Sequence, residues 1–585
     1  MKRTIAFILA LVMTLALVAC GGDKPTSTPA ISDPTKPATS DSAKPATSDP
    51  AKPAEPEKPA EDPDAWKYGG DLIIGVGDTT WTCFDPAQRA TAGDKYTILH
   101  YTEGMALKDI NGKIYPQVCD VEESPDGKTI RFTLRERYFS NGEKITIEDV
   151  DASIRRAAAV VTETNFKKVW EGTTYKVDGN SILITMDTFK INCLAGLVSD
   201  GTYYKIMPKE VCDKYPISGG TMQPCGLVMG GTAPKIDNVA DAIGSGPYKI
   251  DSWSEFEVKL SRNEYYESLP NEDAIGVAKE AKCYMDTLTF QLNKDESSIT
   301  AATLVGDYHI GMVSAEMRET AKTMGVKIGP VGTTWTHGIF FNLHETNTDS
   351  PVYNVNVRKA IRACLDVDAI MLAIVGGDKS TIDYPLTPTP VVKESVYHNT
   401  MLVDSGEWNI KDVNKAKEYL KAAGYDGTPI KYLTHASGLF YKAAMAIIPM
   451  MESAGMNVEL MVVDNGSHAA MRNDPAKTGY DIGCWEVQKN TENPVLHATY
   501  VTGTQGWWSS PARDAAIATM MASPSGSDAS IKAYEDYTQA VIDECPYILF
   551  GNDTGTVAYR DNLEWATVGQ VNYYYWNFYF TDNQK

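Results

Sequence analysis

Everything in this chain that can fold has to be built after residue 65. Behind Lys2 and Arg3 runs an apolar stretch from Ile5 to Val18, closed by Leu17-Val18-Ala19-Cys20. A basic start, a short apolar run and small residues at its end make a secretion signal over residues 1–19; the run is too short for an ordinary membrane span. Residues 20–65 follow as a polar tether, in which Lys-Pro-Ala recurs at Lys36, Lys44, Lys52 and Lys58 among Ser, Thr, Asp and Glu. Such a segment has almost nothing to bury and is expected to stay extended. A folded part held by its N-terminus outside a membrane must act on something in its surroundings.

The chain has 585 residues, of which 43% are hydrophobic and 22% charged. This is a globular composition, and its length predicts about two or three domains. The formal net charge of −22 argues against nucleic acid as a partner, because polyanions are repelled. No later stretch is long and apolar enough to cross a bilayer. Of the ten cysteines, nine remain once Cys20 is set aside, and an odd number cannot all pair within one chain. None has metal-type spacing. Most are expected to be free, with Cys212 and Cys225, which flank a Gly/Pro-rich loop, the first candidates for a disulfide.

Order is predicted from Trp66. Gly69 to Val76 reads as a strand, as do Val118 to Glu123 and Thr129 to Leu134, where Ile130, Phe132 and Leu134 alternate with polar residues. Asp126-Gly127 between the last two is a hairpin-turn signal. Thr146 with Asp149 makes a capping box for a helix that presents Val150, Ile154 and Ala157. A second helix is predicted from Asp412 to Ala423, ended by Gly424, and a third from about Tyr441 to Ala454, stopped by Gly455 before the β-type run Val458 to Val463. Helix, glycine, strand is the rhythm of a mixed α/β class.

Two resemblances sharpen this reading. Cys20 after Leu17-Val18-Ala19 resembles a bacterial lipoprotein box, in which the signal is cleaved before the cysteine and the thiol carries lipid. From 66 to 585, a series of segments resembles the family 5 extracellular solute-binding proteins of ABC importers, which bind oligopeptides, dipeptides or nickel complexes. They include Tyr101-Thr102-Glu103-Gly104, Pro125-Asp126-Gly127-Lys128-Thr129, and Phe139-Ser140-Asn141-Gly142-Glu143 with Thr146 to Val150. Gly244-Ser245-Gly246-Pro247-Tyr248, Arg262-Asn263-Glu264-Tyr265-Tyr266, Phe341-Asn342-Leu343, Val357-Arg358-Lys359-Ala360-Ile361, Ala422-Ala423-Gly424-Tyr425, Trp507-Trp508-Ser509-Ser510-Pro511 and Cys545-Pro546-Tyr547 continue it. The resemblance implies a two-lobe periplasmic-binding-protein-like fold of type II with an extra subdomain in the first lobe. It places lobe I at 66–104, 241–340 and 546–585, the subdomain at 105–240 and lobe II at 341–545. The chain is expected to cross between lobes near Phe341-Asn342 and Phe550-Gly551-Asn552.

The same resemblance implies where a solute binds: at strand ends, hinge and lobe-edge loops. Trp81 and Thr82 follow the first strand, and Trp81 reads either as a pocket wall or as core. Trp335 and His337 precede the first crossing; His337 reads as a core histidine, with ligand contact as the alternative. Phe550 marks the second crossing. Tyr480-Asp481-Ile482-Gly483-Cys484-Trp485 resembles the approach to the ligand loop of peptide-binding members, where a Trp is shortly followed by an Asp that pairs with the peptide's α-ammonium. That Asp is missing here. Either Glu486 or Glu492 replaces it, since an ammonium in a closed cleft needs a carboxylate partner, or the solute has no free amine. Trp507, like Trp508, flanks the same cleft or a lobe surface. No cofactor or protein-held metal is expected.

The expected function is capture of a peptide or similar small solute by a monomer, lipid-anchored on the outer face of the cell membrane, and delivery to an ABC permease. Within that class a metal chelate or oligosaccharide is the alternative cargo. A secreted hydrolase has no GxSxG, HExxH, SxxK or P-loop to carry its chemistry. A non-transport sensor or adhesin on the same fold is the third reading.

Overall fold

The computed structural model describes residues 64–582 apart from 78–79, 110–112, 162–168, 191, 199–202, 275–277, 294, 315–316, 383–384, 392, 394, 436–437, 474–478, 489–493, 495–505 and 566–573. The expected signal, Cys20 and the tether up to residue 63 lie outside the described residues; Asp64 and Ala65, its last two residues, already lead into a short 3-10 turn, Ala65–Lys67.

Ten strands share one sheet: Asp71–Val76 (β1), Tyr248–Trp253 (β2), Glu257–Arg262 (β3), Thr287–Leu292 (β4), Ile310–Gly311 (β5), Val326–Phe341 (β6), Ile430–His435 (β7), Val458–Val463 (β8), Ile482–Gln488 (β9) and Tyr547–Arg560 (β10). Their order is β2-β3-β4-β1-β5-β10-β6-β9-β7-β8. β1 runs parallel to β4 and β7 parallel to β8, and parallel neighbours need a crossover between them. For β7 and β8 that crossover is the predicted third helix, Gly438–Ser453. The helix ends before Gly455, whose φ of 94° lies in the left-handed region that glycine adopts without strain.

Three large apolar cores stand out among the described residues, two of them on this sheet. The first gathers Leu72, Ile74, Leu288 and Phe290 with Ile98 and Leu99 of the helix Ala92–Tyr101 (α1) and with Phe578 and Phe580 near the C-terminus. The second gathers Phe340, Phe341, Leu433, Ile447, Ile482, Trp485 and Phe550. The third belongs to a separate four-stranded sheet, Cys119–Glu123, Thr129–Leu134, Ser181–Met186 and Thr173–Asp178 in spatial order. Its Ile130, Phe132, Ile182 and Ile184 pack on Val150, Ile154 and Ala157 of the helix Ile147–Val160 (α2). Thr146 and Asp149 close the capping box at the start of α2, and Cys119↔Leu134 to Glu123↔Ile130 pair across the Asp126-Gly127 turn. The architecture is a two-lobe α/β fold with an added subdomain.

The Gly244-Ser245-Gly246-Pro247-Tyr248 motif has a steric role. A Cβ on Gly244 would stand 2.0 Å from the carbonyl oxygen of Tyr101, and one on Gly246 2.5 Å from that of His100, so only glycine lets this segment lie against the end of α1. Tyr248, fully buried, donates to the Met285 carbonyl at 3.1 Å.

His100, also fully buried, ties α1 to the segment around Tyr575. Its Nδ1 lies 2.6 Å from the Tyr96 carbonyl and its Nε2 accepts the Tyr575 N–H at 3.0 Å. This arrangement needs a neutral ring. Burial holds the imidazole down at about 4 from an ordinary 6.5, against the pull of the Tyr96 carbonyl. A pKa lowered by folding means that the unfolded chain binds the extra proton first. The associated stability is therefore complete above pH 6.5 and is lost as pH falls towards 4. The expected result is a melting temperature that drops over that window and a shallower drop in His100→Gln, read by calorimetry.

The expected Cys212–Cys225 disulfide does not form: both thiols are free, as are Cys83, Cys119, Cys193, Cys283, Cys364, Cys484 and Cys545, and all nine are buried. Cys212 packs in the first core and Cys225 in the third, so the loop between them joins two cores instead of closing on itself. Burial pushes the Cys212 thiol up to about 11, which leaves it a small apolar side chain at neutral pH.

Candidate functional site

β6 and β10 are the long strands of the sheet, and each spans more than one core. Val326 of β6 and Ala558 of β10 share a small apolar cluster, Val557 lies in the first core, and Ile339, Phe340, Phe341 and Tyr547 to Phe550 lie in the second. Between these apolar ends both strands turn polar, with Thr336 and His337 on one and Asn552, Asp553 and Thr554 on the other. The pairing registers jump there as well, between Pro330 and Thr334 and between His337 and Gly338. The residues around 341–342 end β6 inside the second core, and 550–552 lie within β10.

β9 completes the arrangement on the other side of β6. His337 stands opposite Glu486 of β9 and Gly551 of β10, and Trp335 opposite Asp553. Cross-strand partners, and residues two apart along a strand, share a face, so Trp335, His337, Glu486 and Asp553 converge on one side. His337 is 1% exposed, yet it touches two carboxylates. Its Nε2 is hydrogen-bonded to Oδ1 of Asp553, and its Nδ1 lies 3.7 Å from Oε2 of Glu486. Burial pulls the imidazole pKa down, but the Asp553 hydrogen bond and the charges of Asp553 and Glu486 together raise it above 6.5. Burial likewise raises the Glu486 carboxyl, offset in part by His337. Both acids keep some contact with solvent, at 28% and 18% side-chain exposure for Glu486 and Asp553.

The opposite faces of the same strands hold the crossing in place. Thr336 donates to Oδ1 of Asn552 at 2.6 Å, and Asn552 Nδ2 donates to Thr387 at 3.2 Å. Ile382 bridges to Asp553 through the backbone. His337, Glu486 and Asp553 form a triad of charge-bearing groups; among the described residues no group of three or more His, Cys, Asp or Glu is placed to hold a metal ion.

The other residues singled out from the sequence lie elsewhere. Trp485 is fully buried, its ring stacked on Phe340 at 5.5 Å and edge-on to His468 at 5.8 Å, with the Arg472 guanidinium 5.9 Å from its centre. Phe550 is fully buried in the second core. Trp81 packs in the first core at 7% exposure, and Thr82 is held by Asp94 through its N–H at 2.6 Å and its hydroxyl at 2.8 Å. Trp507, half-buried with φ of 58°, meets His344 edge-on at 5.4 Å. Trp508 belongs to the second core and donates to Glu544 at 2.6 Å. Glu492 lies outside the described residues. Sequence reasoning does not reach Asp553, which stands one residue beyond the expected second crossing, Phe550-Gly551-Asn552.

A search against known proteins agrees with this architecture. The family model for the bacterial extracellular solute-binding proteins, family 5 Middle, matches residues 113–528. The chain is 24% identical over 423 residues to the periplasmic oligopeptide-binding protein OppA of Haemophilus influenzae, covering 68% of this chain and 73% of that protein. It is 21% identical over 608 aligned positions to the oligopeptide-binding protein AppA of Bacillus subtilis, covering 96% of each. In three dimensions it is similar to NikA from Brucella suis in complex with Fe(III)-EDTA, with a TM-score of 0.68, 16% identity, and coverage of 87% of this chain and 100% of that one. With a family match over residues 113–528, more than half of the chain, and a fold that agrees with it, this chain belongs to the bacterial extracellular solute-binding proteins, family 5.

Proposed function

We propose that this protein captures a peptide outside the cell and delivers it to the permease of an ABC importer, while a lipid on Cys20 keeps it at the membrane. Capture of this kind makes no bonds. It needs only a difference in affinity between open and closed states of two lobes. The observation that carries the peptide reading is the carboxylate pair Glu486 and Asp553 at the strand crossing, in a chain related over most of its length to a protein named for oligopeptide binding. Glu486 takes the role of the missing ammonium-binding Asp: it follows Trp485 directly, and alternation along β9 turns it to the face opposite that ring. A tether over residues 20–65, rich in Pro, Ala, Lys, Ser, Thr and acids, leaves the captured solute close to the permease and raises its effective concentration there.

The test is melting of the mature chain with di- to pentapeptides, metal chelates and oligosaccharides. A ligand at a hundred times its Kd adds about 2.7 kcal/mol of stability, so a true cargo moves the midpoint clearly. Peptides are expected to do so. A shift with chelates or oligosaccharides alone would overturn the peptide reading. In Glu486→Gln, affinity for free-amine peptides is expected to fall more than about tenfold, whereas N-acetylated peptides bind both forms alike.

A further inference from the structure

We propose that His337 carries a proton that stands in for the solute's ammonium group, so that loading the site expels that proton. The inference rests on the peptide reading above and adds to it a mode of exchange. It starts from an oddity of placement. A histidine sealed from water has one ring nitrogen on Asp553, while the other, Nδ1, finds no hydrogen-bond partner among the described residues. That second nitrogen points towards Glu486 across 3.7 Å, a gap too long for a hydrogen bond.

The charges explain why the empty site holds a proton. Asp553 arrives from β10 and Glu486 from β9. The Arg472 guanidinium, from the helix Asn465–Asn473, lies over Trp485 and acts on Glu486, and the buried Cys484 stands next along β9. Protonated, His337 leaves the triad with one net negative charge. Neutral, it leaves two carboxylates around an uncharged ring, and a partly buried acid pair is less favourable when the group between them carries no charge. The imidazole is accordingly raised above its ordinary value in spite of its burial.

An arriving ammonium supplies the same charge from outside. With Nε2–H donating to Asp553, neutral His337 offers a lone pair at Nδ1. A nitrogen about 2.9 Å from both Nδ1 and a Glu486 oxygen closes a triangle on the observed gap, within the usual range for N–H donors. The exchange balances as site·H⁺ plus R–NH₃⁺ giving site·R–NH₃⁺ plus H⁺. No bond to carbon changes and no electron moves. The sign of the pH dependence follows. Below the raised pKa of the solute-free site, binding competes with protons, so Kd falls by up to about tenfold for each pH unit gained; above it, Kd levels off until the peptide's own ammonium begins to lose its proton near about 8.

Two measurements test the exchange. The first is the C2–H NMR titration of His337 in the solute-free wild type, assigned with His337→Gln. A midpoint above 6.5, lowered in Asp553→Asn, is expected; a midpoint at or below 6.5 overturns the proposal without reference to any solute. The second is calorimetry with an equimolar library of free-amine tripeptides and its N-acetylated counterpart, in two buffers of different ionisation enthalpy at pH 6. Free-amine binding is expected to release up to one proton per site in the wild type and none in His337→Gln, and the acetylated library is expected to release none. Binding of free-amine tripeptides with no proton release and a flat Kd between about pH 5.5 and 7, below the range in which the peptide amine itself titrates, overturns the exchange and leaves peptide capture standing. If neither library binds while another solute class raises the melting temperature, the peptide reading fails and the exchange fails with it.

Discussion

Trp485→Ala is expected to lower the unfolding free energy by about 3–5 kcal/mol, the cost of removing a fully buried large aromatic. The ring has no exposed surface and stacks on Phe340 nearly parallel, at 8°. His468, Tyr480 and Arg472 fill the rest of its surroundings. It also covers Gly483, where a Cβ would come within 2.3 Å of the indole, so a larger residue there would displace the ring. The cavity left by alanine cannot close easily, because its walls belong to three elements: two sheet strands and the helix 465–473. Urea unfolding followed by tryptophan-independent circular dichroism gives the number. A variant with wild-type stability and a more than tenfold loss of peptide affinity would instead put this ring on the solute.

Arg137→Met is expected to cost a similar amount, about 3–5 kcal/mol, for an electrostatic reason. Arg137 and Glu103 are 4% and 2% exposed. One guanidinium nitrogen reaches both Glu103 oxygens, at 2.8 and 2.9 Å, and the other donates to the Glu267 carbonyl at 2.6 Å. Methionine fills similar space but strands a carboxylate in the interior. Most of the loss comes from that orphaned charge, so the double variant Arg137→Met/Glu103→Leu is expected to recover a large part of it. Chemical denaturation of the three chains separates the two contributions. A loss below about 1 kcal/mol in the single variant, the size expected of an exposed pair, would show that Glu103 escapes to water.

The two positions differ in how far the sequence announces them. Tyr101-Thr102-Glu103-Gly104 was part of the family resemblance, yet nothing near it names Arg137 as its partner. The residues before Trp485 mark it as a ligand contact. Only its place on β9, with Phe340 across the sheet, reveals a core role. The same alternation that buries Trp485 turns Glu486 towards His337, so one strand separates packing from charge within two consecutive residues. Cys212 and Cys225 teach a related lesson: thirteen residues of separation made a plausible loop, but the two thiols sit in different cores.

What the sequence by itself determined is what short-range physics controls. Alternation marked Thr129–Leu134, a Thr and an Asp three apart marked the start of the helix at 147, and glycine marked the ends at 424 and 455. Each signal acts within about one turn of helix or a few residues of strand, so it can be read locally. The tertiary structure alone decided the site. His337 and Asp553 are 216 residues apart in the chain, and Glu486 comes from a third strand. They meet because three strands pair in one register with polar residues level with one another, and register is set by how whole apolar faces pack, which no local segment encodes.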